Sequence, residues 1–113
     1  MKVVVAFIRR SKEEAVTEAL HAIEGLSGAS FVHIRGFGRG RGDRSRRELD
    51  EAITGTLPQV RVDVMTSDEL APKVVKVITE IAHTGNRGDG KVYVLSLESA
   101  VRISTRENGD TAV

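Results

Sequence analysis

Two strand–helix–strand patterns follow one another along the chain, and this order leaves few folds open. The first has an apolar strand at about residues 2–9, a segment with helical apolar spacing, and a strand at about 29–35. The second has an alternating strand around residues 60–64, a helix that begins near Asp68, and a last strand at about 92–97. The two patterns predict an α+β, ferredoxin-like βαββαβ sandwich, with an antiparallel sheet and both helices on one face.

Local signals predict where the helices begin and end. Ser11 and Glu14 form an S-x-x-E pattern that is typical of a capping box, so we expect the first helix to start there. A glycine, Gly25 or Gly28, is expected to end this helix. Pro72 is tolerated only in a first helical turn, and it therefore locates the start of the second helix.

Length and composition limit the class of protein. A chain of 113 residues is expected to form one domain, and helices on one side of a sheet leave the other side to be covered. The chain has no cysteine, which excludes disulfide bonds and thiolate chemistry. A net charge of +1 argues against a general nucleic-acid-binding surface. The short N-terminal apolar run reads as a buried strand rather than a signal peptide, and we expect a cytoplasmic protein without membrane insertion.

The most informative segment is T-G-N-R-G-D-G-K at residues 84–91, which runs directly into the last strand. Glycine permits left-handed backbone angles and lets an anion approach the main chain closely. A lysine at the start of the strand supplies a positive charge for phosphate oxygens. The segment therefore predicts a phosphate-binding loop, although the same composition also fits an ordinary helix-to-strand turn.

The string T-G-x-x-G-D-G-K-V-Y-V at residues 84–94 resembles the B-loop signature of the PII signal-transduction proteins, trimeric sensors of ATP or ADP. Three further segments resemble the family in the same order: R-G-F-G-R at 35–39, L-P-Q-V at 57–60 and V-R-I-S-T-R-E at 101–107. The chain is thus identified as a divergent PII-like member with a single domain, 1–113. The resemblance implies a T-loop at about 37–57, a B-loop at about 84–91 and a C-terminal loop at about 101–113.

The resemblance also implies a nucleotide site between the subunits of a homotrimer. The residues that match the family's nucleotide-binding positions are Arg39, Gly88, Asp89, Gly90, Lys91 and Arg102. The expected ligands are ATP, ADP or AMP, and Arg102 is expected to come from the neighbouring subunit. The family's second C-terminal arginine is Ser104 here, and the glycine that follows in the family is Arg106.

The resemblance gives the long loop a regulatory role. PII proteins use this loop to control partner proteins such as a transporter or a regulated enzyme, and we expect the same of residues 37–57. The Arg-rich first half also fits an RNA-binding module, but Phe37 is the one aromatic nearby, and acidic residues follow. Ala52 occupies the position of the family's modified tyrosine, and Asp50 that of a modified serine, so neither modification is expected.

Two further substitutions affect the family's usual effector, 2-oxoglutarate. Gly40 stands where the family has a glutamine that binds Mg²⁺, and Gln59 stands where it has a lysine that pairs with the effector's carboxylate. Glycine offers no side-chain oxygen and glutamine no charge. We therefore expect no 2-oxoglutarate binding in the usual mode.

An enzymatic function is not expected. An acylphosphatase-like hydrolase would need an anion-binding loop after the first strand, and Arg9, Arg10 and Ser11 instead lead directly into a helix start. The three histidines, at positions 21, 33 and 83, do not have metal-ligand spacing, and no pair of carboxylates is placed for catalysis.

Overall fold

A computed structural model describes residues 1–38 and 56–113 of the chain. The described residues form four strands, two α-helices and two short 3₁₀ helices. In chain order the main elements are β1 (Lys2–Arg9), α1 (Glu13–His21), β2 (Ser30–Gly36), β3 (Leu57–Thr66), α2 (Ala71–Ala82) and β4 (Gly90–Ser96). The 3₁₀ helices are Arg10–Lys12 and Gly109–Ala112.

The four strands form one antiparallel sheet in the order β2-β3-β1-β4. β1 lies between β3 and β4, and its residue Val4 pairs with Val64 on one side and with Val94 on the other. Near the end of β1, Ile8 pairs with Val60 and with Gly90. The register therefore places the end of β1 beside the glycine-rich loop that precedes β4. The predicted ferredoxin-like α+β fold is confirmed.

The core lies between one face of the sheet and the two helices. Alternate residues of β1 and β3 are buried against the helices, as a period of two requires. Helix residues at three- and four-residue spacing cover them from the other side. The core residues are Val4, Ala6, Ile8, Val16, Leu20, Ile23, Val60, Val62, Val64, Ala71, Val74, Ile78 and Ala82.

The helix ends differ in part from those predicted. Ser11 lies within the 3₁₀ turn and α1 begins at Glu13. No side chain of the described residues caps the start of the 3₁₀ turn or of α1, so the capping-box prediction was wrong. The chain leaves β1 in a tight 3₁₀ turn, which moves Ser11 inside a helical turn rather than before one. α1 ends at His21, four residues before Gly25, which has φ +85°. Pro72 lies in the first turn of α2, as predicted.

The face of the sheet opposite the helices carries exposed apolar side chains. Phe7 on β1 contacts Tyr93 on β4 in an edge-to-face arrangement, with ring centroids 6.0 Å apart. The Arg61 guanidinium lies 5.9 Å from the centroid of the Phe7 ring. Tyr93, Leu95 and Met65 are 47%, 51% and 44% exposed, respectively. An apolar sheet face of this kind is the common signature of a surface that another molecule covers.

Candidate functional site

The segment predicted to bind phosphate joins α2 to β4. Its last two residues, Gly90 and Lys91, are already part of β4, where they pair with Ile8 and Phe7 of β1. Gly90 has φ +103°, and a Cβ atom placed on it would lie 1.6 Å from the carbonyl oxygen of Phe7. Since no side chain fits there, this close approach of two backbones requires glycine. Gly88 also has a positive φ, +98°.

The Asp89 carboxylate is bonded within the protein. It accepts hydrogen bonds from the Thr84 amide at 2.8 Å and from the Thr84 hydroxyl, and a further one from Arg9 Nε at 3.0 Å. Partial burial alone would raise the pKa of the Asp89 carboxyl, but these hydrogen bonds outweigh that effect and lower the pKa to about 2. Asp89 is therefore ionised at neutral pH, and Arg9 balances its charge.

Arg9 is the site residue that sequence reasoning missed. Its guanidinium also donates a hydrogen bond from Nη2 to the carbonyl oxygen of Arg87, at 2.7 Å. Arg9 and Asp89 are 80 positions apart in sequence, and only the β1–β4 register brings them together. The sequence signal available was an arginine at the end of a central strand, which by itself is more commonly a solvated residue.

The loop lines one end of a cleft of about 860 Å³. On the other side of the cleft lie residues from the end of β2 and the start of β3. The lining residues are Phe7, Ile34, Arg35, Gly36, Phe37, Gly38, Leu57, Gln59, Asn86, Arg87, Gly88, Asp89, Gly90, Lys91 and Tyr93.

The lining gives the cleft a positive charge. It includes three cationic side chains, Arg35, Arg87 and Lys91, of which Arg35 donates hydrogen bonds to Thr56. Asp89 is the one acidic residue among the described lining, and its carboxylate is bonded to Arg9 and Thr84. An anionic ligand would therefore meet cations and main-chain amides with little opposing charge.

The structure brings together four of the six predicted site residues. Gly88, Asp89, Gly90 and Lys91 all line the cleft. Arg102 does not line this cleft. The preceding residue, Val101, lines a second cleft of about 480 Å³. Arg39 lies outside the described residues, as do Gly40 and the predicted T-loop between residues 39 and 55.

Arg102 sits in a tight hairpin near the C-terminus. Its amide donates to the Glu107 carbonyl oxygen at 2.9 Å, and its own carbonyl accepts from the Arg106 amide at 2.7 Å. Arg106 has φ +62° and is the one non-glycine residue with a positive φ in the described segments 1–38 and 56–113. The hairpin thus adopts a left-handed turn at the position where the PII motif has glycine.

Replacing Arg106 with glycine should therefore stabilise the fold. A left-handed residue with a Cβ costs about 1 kcal/mol relative to glycine, and the greater freedom of glycine in the unfolded chain offsets part of this gain. We expect Arg106→Gly to raise the free energy of unfolding by about 0.5 kcal/mol, measured by urea denaturation. The neighbouring Glu107→Gly, at a residue without a positive φ, should lower it instead. Equal losses in both variants would show that the left-handed turn carries no cost.

The comparisons with known proteins assign the chain to a family. The sequence model described as "Nitrogen regulatory protein P-II" matches residues 1–107. The chain belongs to the P-II family. It is 37% identical to the nitrogen regulatory protein P-II of Azospirillum brasilense and 38% identical to that of Haemophilus influenzae. It is 35% identical to the nitrogen regulatory protein GlnK of Escherichia coli K12, and each comparison covers 113 residues and the whole of both chains.

P-II membership settles the broad class of function. The family consists of signal-transduction regulators of nitrogen metabolism and not of enzymes. Among the residues that the structure describes, no group of histidine and acidic side chains is arranged to hold a metal ion. The described helices include none that is long and apolar enough to cross a membrane.

Proposed function

We propose that this P-II protein binds the phosphates of an adenine nucleotide at the B-loop and controls a partner protein through residues 37–57. The observation that carries the proposal is the cleft at Gly88, Gly90 and Lys91, where positive-φ glycines and cationic side chains line a space of about 860 Å³. ATP and ADP are the proposed ligands, with AMP as a third candidate. The partner is a transporter or a regulated enzyme in the cytoplasm.

We propose further that the site is completed in a homotrimer. Two observations support this assembly. The exposed apolar side chains of Tyr93, Leu95 and Met65 lie on the sheet face opposite α1 and α2. In addition, Arg102 does not line the cleft of the B-loop, and its neighbour Val101 lines a different cleft of the same chain. We infer that a nucleotide in contact with both Arg102 and the B-loop needs a second subunit.

Calorimetry with ATP, ADP, AMP and a short single-stranded RNA tests the proposed ligand. The RNA is included because Phe7 and Tyr93 meet on the open sheet face, and a pair of aromatic side chains on a sheet can stack bases. We expect saturable binding of at least one adenine nucleotide and no binding of RNA. RNA binding without nucleotide binding would contradict the proposal.

Light scattering tests the assembly. Three chains of 12.3 kDa give an expected mass of about 37 kDa at micromolar concentration. A monomer mass would contradict both the proposed cover for the open sheet face and the contribution of Arg102 from a neighbouring subunit.

Lys91→Ala should weaken nucleotide binding by about 1.5–3 kcal/mol, the usual loss for a hydrogen bond to a charged group. Lys91 is exposed at the start of β4, so its removal should leave the core intact. Lys73→Ala removes the same charge from an exposed position on α2 and is the matched control. Calorimetry should give a normal nucleotide affinity for Lys73→Ala, and an equally normal affinity for Lys91→Ala would exclude the lysine from the site.

A further inference from the structure

One arginine connects the end of β1 to two points of the B-loop. Arg9 is the last residue of β1, and Ile8 before it pairs with Gly90. From this position Arg9 Nε donates to Asp89 Oδ1 at 3.0 Å and Nη2 donates to the Arg87 carbonyl oxygen at 2.7 Å. A planar guanidinium suits such a pair of acceptors, because its donors are fixed in a fork.

Asp89 extends this connection to the beginning of the loop. The same carboxylate accepts hydrogen bonds from the amide and the hydroxyl of Thr84, and the Thr84 hydroxyl oxygen accepts one from the Asn86 amide at 3.1 Å. Hydrogen bonds thus join the first residue of the loop, its sixth residue and the neighbouring strand. We call Arg9, Asp89 and Thr84 the loop clamp.

We propose that Arg9 is a positioning residue that holds the B-loop in its ligand-binding shape before the ligand arrives. This inference rests on the proposed function of the loop as a phosphate site. Gly85, Gly88 and Gly90 have φ values of +85°, +98° and +103°, and glycine by itself has little preference for such values. A loop with three glycines would lose much conformational freedom on binding unless other contacts fixed it beforehand. The loop clamp supplies those contacts.

The geometry favours positioning over direct contact with the ligand. Arg9 is not among the described residues that line the cleft, whereas Arg87 and Lys91 are. Its side chain is 34% exposed, and two of its nitrogens are already bonded to the loop. Among the described residues, the side chain of the adjacent Arg10 has one long hydrogen bond of 3.4 Å, to the Ile34 carbonyl oxygen, and none to Asp89 or Thr84. Arg10 is therefore a matched control of the same residue type.

The test combines amide hydrogen exchange in the unliganded protein with calorimetry using ADP. Arg9→Ala should speed exchange of the Thr84 and Asn86 amides about tenfold and weaken ADP binding about tenfold, since an unclamped loop must be ordered on binding. Arg9→Lys, which keeps the charge and loses the fork, should fall between Arg9→Ala and the unchanged protein. Arg10→Ala should stay within about twofold of the unchanged protein in both measurements.

A double variant distinguishes loss of the Arg9–Asp89 contact from general destabilisation of the protein as the cause of weaker ADP binding. Asp89→Asn removes the charge that Arg9 meets, so Arg9→Ala combined with Asp89→Asn should weaken ADP binding about as much as the stronger single variant. If the double variant weakened ADP binding by the product of the two single-variant factors, the proposal would be overturned, because Arg9 and Asp89 would then act independently. Weaker ADP binding with unchanged exchange at Thr84 and Asn86 would also overturn it, and would make Arg9 a ligand contact.

The two proposals can fail separately. If the unchanged protein bound no adenine nucleotide, the proposed function would fall, and exchange at Thr84 and Asn86 would still decide whether Arg9 orders the loop. If nucleotides bound normally and Arg9→Ala changed neither exchange nor affinity, the proposed function would stand and the role of Arg9 would be excluded.

Discussion

Gly90→Ala is expected to lower the free energy of unfolding by about 3–5 kcal/mol, the range of severe single substitutions. Two effects add. The residue has φ +103°, which a side chain rarely adopts, and the new Cβ would lie 1.6 Å from the Phe7 carbonyl oxygen and 2.7 Å from its carbonyl carbon. Both contacts are with backbone atoms of β1, so relief requires β4 to move away from the centre of the sheet. Urea denaturation at equal chain concentrations would measure the loss.

Two other glycines separate the effects. An added Cβ at Gly28, where φ is not positive, would meet no atom of the described residues within 4 Å, so Gly28→Ala should change stability by less than about 1 kcal/mol. Gly85 has φ +85° with equally open surroundings, and Gly85→Ala should cost about 1 kcal/mol through backbone strain alone. If Gly90→Ala lowered the free energy of unfolding no more than Gly85→Ala does, the inference that β4 lies too close to β1 for a side chain at position 90 would be wrong.

The sequence predicted the architecture because its strongest signals are local and periodic. Alternation along residues 60–64 and helical spacing after Asp68 reflect burial on one face, and burial follows directly from side-chain chemistry. The observed β3, Leu57–Thr66, is longer than the alternating run, since its ends pair with the main chain of β1 and β2. Backbone pairing leaves little trace in side-chain type.

The features that the sequence did not reveal depend on contacts between distant residues. Gly90 was predicted as a phosphate-loop glycine. The structure shows a second reason for glycine at this position, because the backbone of Phe7 leaves no room for a side chain. Likewise, Asp89 matched the loop motif, while its partner Arg9 lies 80 positions away, at the end of another strand. Arg106 stands where the motif has a glycine and adopts a left-handed conformation, and no propensity rule would place a bulky residue there.

The cleft also bears on which small molecule accompanies the nucleotide. Gln59 lines it, and its Oε1 lies so near Gly36 that a Cβ on that glycine would be 2.7 Å away. The side chain at this position is thus a neutral amide packed over the main chain, where the P-II motif L-P-K-V has a cation. Gly40, which lies outside the described residues, has no side-chain oxygen to offer a metal ion.

We therefore expect 2-oxoglutarate not to bind in the family's usual mode, even with Mg²⁺ and ATP present. Loss of one charged contact costs about 2–3 kcal/mol, roughly a hundredfold in affinity, and loss of a metal bridge adds to this. A ligand that a fully equipped site binds at about 1 μM would then bind at about 1 mM or more weakly.

Titration of 2-oxoglutarate into the protein loaded with Mg²⁺ and ATP measures this loss directly. The combined substitution Gly40→Gln and Gln59→Lys should restore saturable binding, because it returns both the metal's side-chain oxygen and the carboxylate's cationic partner. Gln59→Lys alone should recover part of the affinity, since the charge acts without the metal bridge. Tight binding to the unchanged protein would show that other cations of the cleft, Arg87 first among them, hold the carboxylate in place of a lysine at position 59.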